Sequence, residues 1–205
     1  MSSDLLKILH PRAYEPRAKR DLRSVFWRII QKQMDQKDIR EVIGEIVFNA
    51  FLGGKLDAAR EIHERFSMIH GDEYRLLDER RDKYAADFKR ILSDYQLGKE
   101  KLKACYRRLN ILGQMAVWEL YNRGKLNRLR EQNLKMRGLG QVGRIEWVAW
   151  FTTLDERTCS ECAALDGQYW RIWDTFPMPP LHPGCRCIIR AKLYIEKEAT
   201  VLEVT

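Results

Sequence analysis

Cys159 and Cys162 stand three residues apart, and after nineteen further residues comes the run His182-Pro183-Gly184-Cys185-Arg186-Cys187. Two cysteines at that spacing can both turn inward at one tight knuckle and bind a single ion, and a second knuckle completes a tetrahedron. His182 and Cys185 repeat the spacing, with Pro-Gly between them favouring a sharp turn. Cys185 and Cys187 are two apart, so on a strand they face the same side. Five side chains thus compete for four positions. Cys159 and Cys162 lead and Cys185 and Cys187 follow, with His182 either a substitute or a group that orients the others. The ion that such a set takes is a structural zinc. The plain alternative, four merely buried cysteines, fits a cluster within 29 residues poorly.

Other chemistry is weaker. A thiol nucleophile, Cys159 or Cys162 paired with His182, would need an oxyanion hole and an orienting group that no motif supplies. Gly138-Leu139-Gly140-Gln141-Val142-Gly143 matches the dinucleotide fingerprint letter for letter. That fingerprint must follow a strand and open a helix; here a basic helix precedes it and a strand-like run follows, so it reads as a glycine hinge. His63 and His70 are isolated on polar segments. Trp147, Trp150, Trp170 and Trp173 surround the cysteine motif, first as core packing of a small domain and second as a stacking platform for nucleic acid. No carboxylate sits in a recognisable catalytic frame, so the expectation is a non-enzyme without a small-molecule substrate.

The elements that must position these residues fall into two kinds. Residues 1–16, with Pro11 and Pro16, read as an irregular arm. A helical stripe then runs through Leu22, Val25, Phe26, Ile29, Ile30 and Met34. Asp38 with Glu41 resembles a capping box opening a second helix, which Gly53-Gly54 would stop. A third helix carries Leu56, Ala59, Ile62, Phe66 and Ile69 and would end at Gly71. Residues 72–96 form a polar helix closed by Gly98. Residues 99–136 read as one long helix with Leu102, Cys105, Leu109, Leu112 and Ala116 in register, which makes Cys105 a small buried hydrophobe. Beyond residue 140 the pattern changes to strand-like runs at 145–153, 168–172 and 187–194, separated by turns. The expected class is α+β: an extended basic helical arm or bundle over 1–138, a hinge at 139–144, and a small zinc-stabilised, β-rich domain over 145–205.

Charge divides in the same place. Residues 1–140 hold 30 basic and 20 acidic side chains, residues 141–205 hold 7 and 9. Within the helical part, residues 99–137 hold 11 basic and 3 acidic side chains, which matches the excess of the whole chain, +8. A solvated helix face is one reading of this segment. The other is a contact for nucleic acid or an acidic protein, made by Arg107, Arg108, Arg123, Lys125, Arg128 and Arg130 on the side away from the leucine stripe. No apolar run approaches the roughly 20 residues that span a bilayer, and Met1-Ser2-Ser3-Asp4 opens no export signal.

The run from Trp150 through Asp155, Arg157, Cys159 and Cys162 to Asp166-Gly167, followed by Pro180-Leu181-His182-Pro183-Gly184-Cys185-Arg186-Cys187, resembles the phage head morphogenesis family, the Mu F-like minor head proteins. Ala116-Val117-Trp118-Glu119-Leu120-Tyr121-Asn122-Arg123-Gly124 resembles the family's helix before that domain, so the likeness covers about residues 105–190. The resemblance implies a virion component made in the host cytoplasm. It would lie in the head interior or at the portal vertex, with the portal protein, the major capsid protein or packaged double-stranded DNA as partners. Its work would be head assembly or DNA delivery. A zinc-containing nucleic-acid-binding protein unrelated to capsids is the second expectation.

Overall fold

The computed structural model describes residues 10–63, 67, 69–138 and 145–192. Four helices come first: α1 (Pro11–Ile30), α2 (Asp38–Glu61), α3 (Gly71–Gln96) and α4 (Leu102–Gly138). Then follow β1 (Trp147–Phe151), a short α5 (Ser160–Leu165), β2 (Tyr169–Arg171) and β3 (Ile188–Lys192). The fold is α+β, mostly helical, with one small antiparallel sheet in the order β2-β1-β3. Trp147 stands opposite Arg171 on one side and Lys192 on the other. No described helix is long and apolar enough to cross a membrane.

The expected irregular arm is in fact helical from Pro11. Proline at the first helical position gives up no hydrogen bond, and its fixed φ suits the helix; the Nδ1 of His10 accepts from the Arg12 N–H. Pro16 removes one bond inside the helix. Packing compensates: Ala18 is buried, and the Glu15 carboxylate accepts the Trp118 indole N–H at 2.7 Å. The Asp38–Glu41 box does not form, because Asp38 is already inside the helix and its carboxylate instead accepts from the Asp35 N–H. Gly71 opens α3 rather than closing a helix, with the Glu73 carboxylate accepting from the His70 N–H at 2.9 Å.

Gly53-Gly54 does not stop α2, which runs on to Glu61. These glycines allow close approach instead. A Cβ on Gly54 would sit 1.9 Å from the Tyr121 carbonyl oxygen, and one on Gly124 would sit 2.0 Å from the Phe51 carbonyl oxygen. So α2 and α4 cross backbone against backbone. Around that crossing two lysines are enclosed. Lys55 is fully buried between Glu73 (2.8 Å) and Glu131 (2.7 Å). Lys125 is held by Asp57 (2.8 Å) and Glu61 (2.5 Å).

The helices share a core of Phe26, Ile39, Phe51, Phe88, Leu92, Leu109 and Leu120, and Cys105 lies in it as expected. A second core joins Ala58 of α2 and Leu126 and Leu129 of α4 to Ile145, Val148, Ile172 and Ile189. The sheet therefore rests directly on the later half of α4, a helix of 37 residues that is about 55 Å long at 1.5 Å per residue. The helical part is a packed bundle and not an extended arm. Residues 139–144, where the hinge was expected, lie outside the described residues.

Candidate metal centre

The long helix α4 anchors the cysteine module through polar side chains on one face. The Gln114 oxygen accepts from the Gly184 N–H at 3.2 Å. Asn122, fully buried, donates to the Trp118 carbonyl at 2.9 Å and the Cys187 carbonyl at 3.2 Å, and accepts from the Ile189 N–H at 2.9 Å. Arg130 donates to the Ile172 carbonyl at 2.9 Å, and Asn133 to that of Ile145. From α2, Glu61 accepts from the Ala191 N–H at 2.7 Å. Buried backbone groups at the edge of a three-stranded sheet would otherwise go unpaired. The periodicity of α4 gave no sign of this role, although Asn122 belongs to the motif quoted above.

Asn122→Leu keeps the branched outline, with bulkier methyl groups, and strands the Ile189 N–H and the Cys187 carbonyl. It is expected to destabilise the protein by roughly 2 kcal/mol, within the range for a buried group left unsatisfied. Urea unfolding checks this, with amide exchange at Ile189 reading the local loosening. An unchanged midpoint would show that water replaces Asn122 without loss.

Two knuckles meet above this face. Cys159 caps α5 with extended backbone, and its Sγ accepts from the Cys162 N–H at 3.3 Å. The second knuckle closes where the Cys185 N–H donates to the His182 carbonyl at 3.1 Å. Gly184 there takes φ +87°, a conformation that side-chain-bearing residues avoid. The knuckles are tied by Arg186, whose guanidinium grips both carboxylate oxygens of Asp155. That pairing holds the Asp155 carboxyl well below its usual range.

His182 Nε2 lies 3.0 Å from Cys159 Sγ and 3.3 Å from Cys162 Sγ, and Cys162 Sγ lies 3.7 Å from Cys185 Sγ. Two ligand-capable triads result, Cys159-Cys162-His182 and Cys162-Cys185-Cys187, sharing Cys162. A tetrahedral zinc with Zn–S of ~2.3 Å has S–S edges of roughly 3.8 Å, so the cysteine separation suits an ion. It does not suit a disulfide, with S–S of about 2.05 Å, and the five cysteines are all free. Nδ1 of His182 lies 2.9 Å from the Pro183 carbonyl oxygen. A proton on Nδ1 would satisfy that carbonyl and leave the Nε2 lone pair facing the sulfurs, a common arrangement for metal-binding histidine.

The thiols differ in character. The Cys187 thiol, donating toward Cys185, brings the Cys185 thiol down to about 5, and burial pushes the Cys162 thiol up to about 12. Cys187 is itself pushed up by its bond to Cys185, and its Sγ also lies 3.2 Å from Thr152 Oγ1, whose hydroxyl can donate to it. The Cys162 N–H lowers the Cys159 thiol. The space among these groups is about 10 Å³. That is room for about one water molecule or one ion.

The basic side chains of α4 are not where charge counting put them. Arg107 is exposed. Arg108 is bound to Asp94 (2.7 Å) and Glu100 (2.8 Å), and Arg123 to Glu119 (2.8 Å). Lys125 is buried in its carboxylate pair; Arg128 is also buried, beside Gln132 and Glu131. Arg130 serves the Ile172 carbonyl and lies over the Trp173 ring. An outward-pointing row is thus corrected for five of the six. Lys125 takes its partners from α2 and Arg130 from the sheet module, Arg108 is shared between α3 and Glu100, and Arg123 and Arg128 pair with side chains of α4 itself.

A helical bundle carrying a small sheet and a two-knuckle Cys/His cluster defines a structural module. The chain belongs to the family described as Phage Mu protein F like protein, whose profile matches residues 57–190. The match begins at Asp57, the partner of Lys125, well before the residues that carried the resemblance in the sequence. No curated protein and no solved structure matches the chain.

Proposed function

We propose that the protein is a phage minor head protein: a non-enzymatic virion component, made in the host cytoplasm, that works in head assembly or DNA delivery near the portal vertex. Its partners are then the portal protein or the major capsid protein, with packaged DNA as a further contact. The observation that carries this reading is the family match, which takes in α4, both knuckles and the sheet.

Zinc is the ion the donor set favours, held by Cys159, Cys162, His182 and Cys185. These four are connected through Sγ and Nε2 contacts of 3.0–3.7 Å. Cys187, whose Sγ is engaged by Thr152, supports Cys185 from behind. The ion's part is structural: it fixes α5 and the 182–187 turn to each other, where the sheet alone is too small to do so. The domain division follows the same logic, with residues 1–138 as the bundle and 145–205 as the metal module seated on it.

The test is particle fractionation. Purified DNA-filled heads are expected to contain the protein, and chemical crosslinking to join it to portal or major capsid protein. Wild-type heads that lack the protein, with all of it left in the soluble lysate, together with heads that assemble, fill and infect normally when the gene is deleted, would overturn the reading and favour a free zinc-containing nucleic-acid-binding protein.

A further inference from the structure

Between residues 145 and 192 there are six acidic and five basic side chains, so the module as a whole is not basic. Its cations are segregated. Arg157 and Arg186 are both paired with Asp155. The other three, Arg171, Arg190 and Lys192, are exposed on the strands of the sheet, and no described carboxylate pairs with any of them.

The register explains how they gather. Val148 and Trp150 face inward, so Trp147, Ala149 and Phe151 face out. Trp147 is flanked by Arg171 and Lys192, and Ala149 by Tyr169 and Arg190. Each cation lies over a ring: Arg190 is 3.8 Å from the Phe151 centroid, Lys192 is 3.4 Å from that of Tyr169, and Arg171 is 5.4 Å from that of Trp147. Trp147 meets Tyr169 edge to face at 5.4 Å. Strand spacing puts Arg171 about 10 Å from Lys192 across the sheet, and Arg190 about 7 Å from Lys192 along β3.

We propose that this outer face of the sheet is a phosphate-binding surface that lies along the backbone of duplex DNA. The choice of DNA rests on the head-protein reading above. The chemistry rests on the face itself. A guanidinium stacked on a ring keeps its edge N–H groups free for phosphate oxygens, and the ring limits its rotamers before binding. The cations cover the very ring faces that unpaired bases would need for stacking, so the contact reads charge and spacing and not sequence. The exposed lysines at the start of α4 are the rival basic patch, and they lack this ordering by aromatic rings.

The experiment is fluorescence anisotropy of the full-length protein with a labelled random-sequence duplex between about 50 and 200 mM salt. The slope of log affinity against log salt is expected near −3, since three neutralised phosphates contribute roughly −0.9 each. Reversing all three charges (R171E, R190E, K192E) is expected to cost at least tenfold at the lower salt, with metal content and helical signal unchanged. If the triple variant fails to fold, Arg190→Ala and Lys192→Ala should each reduce the slope by about one unit. K101E with K103E and R107E, all on exposed residues of the rival patch, should change affinity less than twofold. Unaltered binding in the triple variant, loss in the α4 variant instead, or tighter binding to single strands than to duplex would each overturn the proposal. So would absence of duplex binding at low salt. The last result leaves the head-protein reading intact, because particle fractionation tests that independently.

Discussion

Cys162→Ser is expected to release the metal and unfold the module between residues 145 and 192 while leaving the helical bundle standing. Cys162 belongs to both ligand-capable triads and contacts both His182 and Cys185. Its loss therefore disconnects the two knuckles, whereas loss of an outer member leaves one of them intact. A structural zinc contributes on the order of 10 kcal/mol of apparent binding free energy to modules of this kind, and three short strands have little to set against that. The bundle keeps its own core of Phe26, Phe51, Phe88 and Leu109. The wild-type protein should carry one zinc per chain by elemental analysis, and the variant none. The near-ultraviolet signal of Trp147, Trp150, Trp170 and Trp173 should collapse, and the far-ultraviolet helical signal should largely remain. Cys187→Ser, by contrast, should keep the metal. Because thiols must lose their protons to bind, metal affinity should weaken as pH falls. Fully metal-free protein that is natively folded, with thiols at 159, 162, 185 and 187 all titrating freely, would sink the zinc reading.

The cysteine and histidine cluster was legible because ligand spacing is a local property. Cys159 and Cys162 are brought together by one turn of backbone, and His182 and Cys185 by another. Long helices with strong periodicity, 72–96 and 99–136, were legible for the same reason. What was not legible depends on partners distant in sequence. Pro11 and Pro16 signalled a break, yet Trp118, about a hundred residues on, holds Glu15 inside a helix. Lys125 counted as surface charge until the fold brought the Asp57 and Glu61 carboxylates beside it. The working cations of the module, Arg171, Arg190 and Lys192, gave no local signal, since they come from two strands and meet only through the register with β1. Asn122 is the intermediate case: its type and place in a motif marked it, but its three bonds could be assigned only once β3 lay against α4.

Gly54→Ala is expected to destabilise the protein by about 3 kcal/mol or more, beyond the usual middle of the overpacking range. Two effects oppose each other here. Alanine is about 1 kcal/mol better than glycine in a helix interior, so a solvent-facing glycine would gain by the change. At Gly54 the new Cβ falls 1.9 Å from the Tyr121 carbonyl oxygen and 2.8 Å from the Lys125 nitrogen. Both are backbone atoms of α4, so the strain can be relieved only by moving α2 away from α4. That movement would open the pairing of Lys125 with Asp57 and Glu61, and the seat of the sheet on Ala58, Leu126 and Leu129. For a chain of this size the melting temperature should fall by about 10 °C, at roughly 2–4 °C per kcal/mol. Gly124→Ala should behave alike, and the double variant should cost less than the two together, because helices already parted by one Cβ admit the second more easily. Gly44→Ala supplies the contrast: its Cβ would meet the flexible Arg81 side chain at 3.3 Å, so helix propensity should win and stability should hold or rise. Thermal melts of the four variants decide the matter. A stabilised Gly54→Ala would mean that the glycine pair does not form the crossing on which the metal module sits.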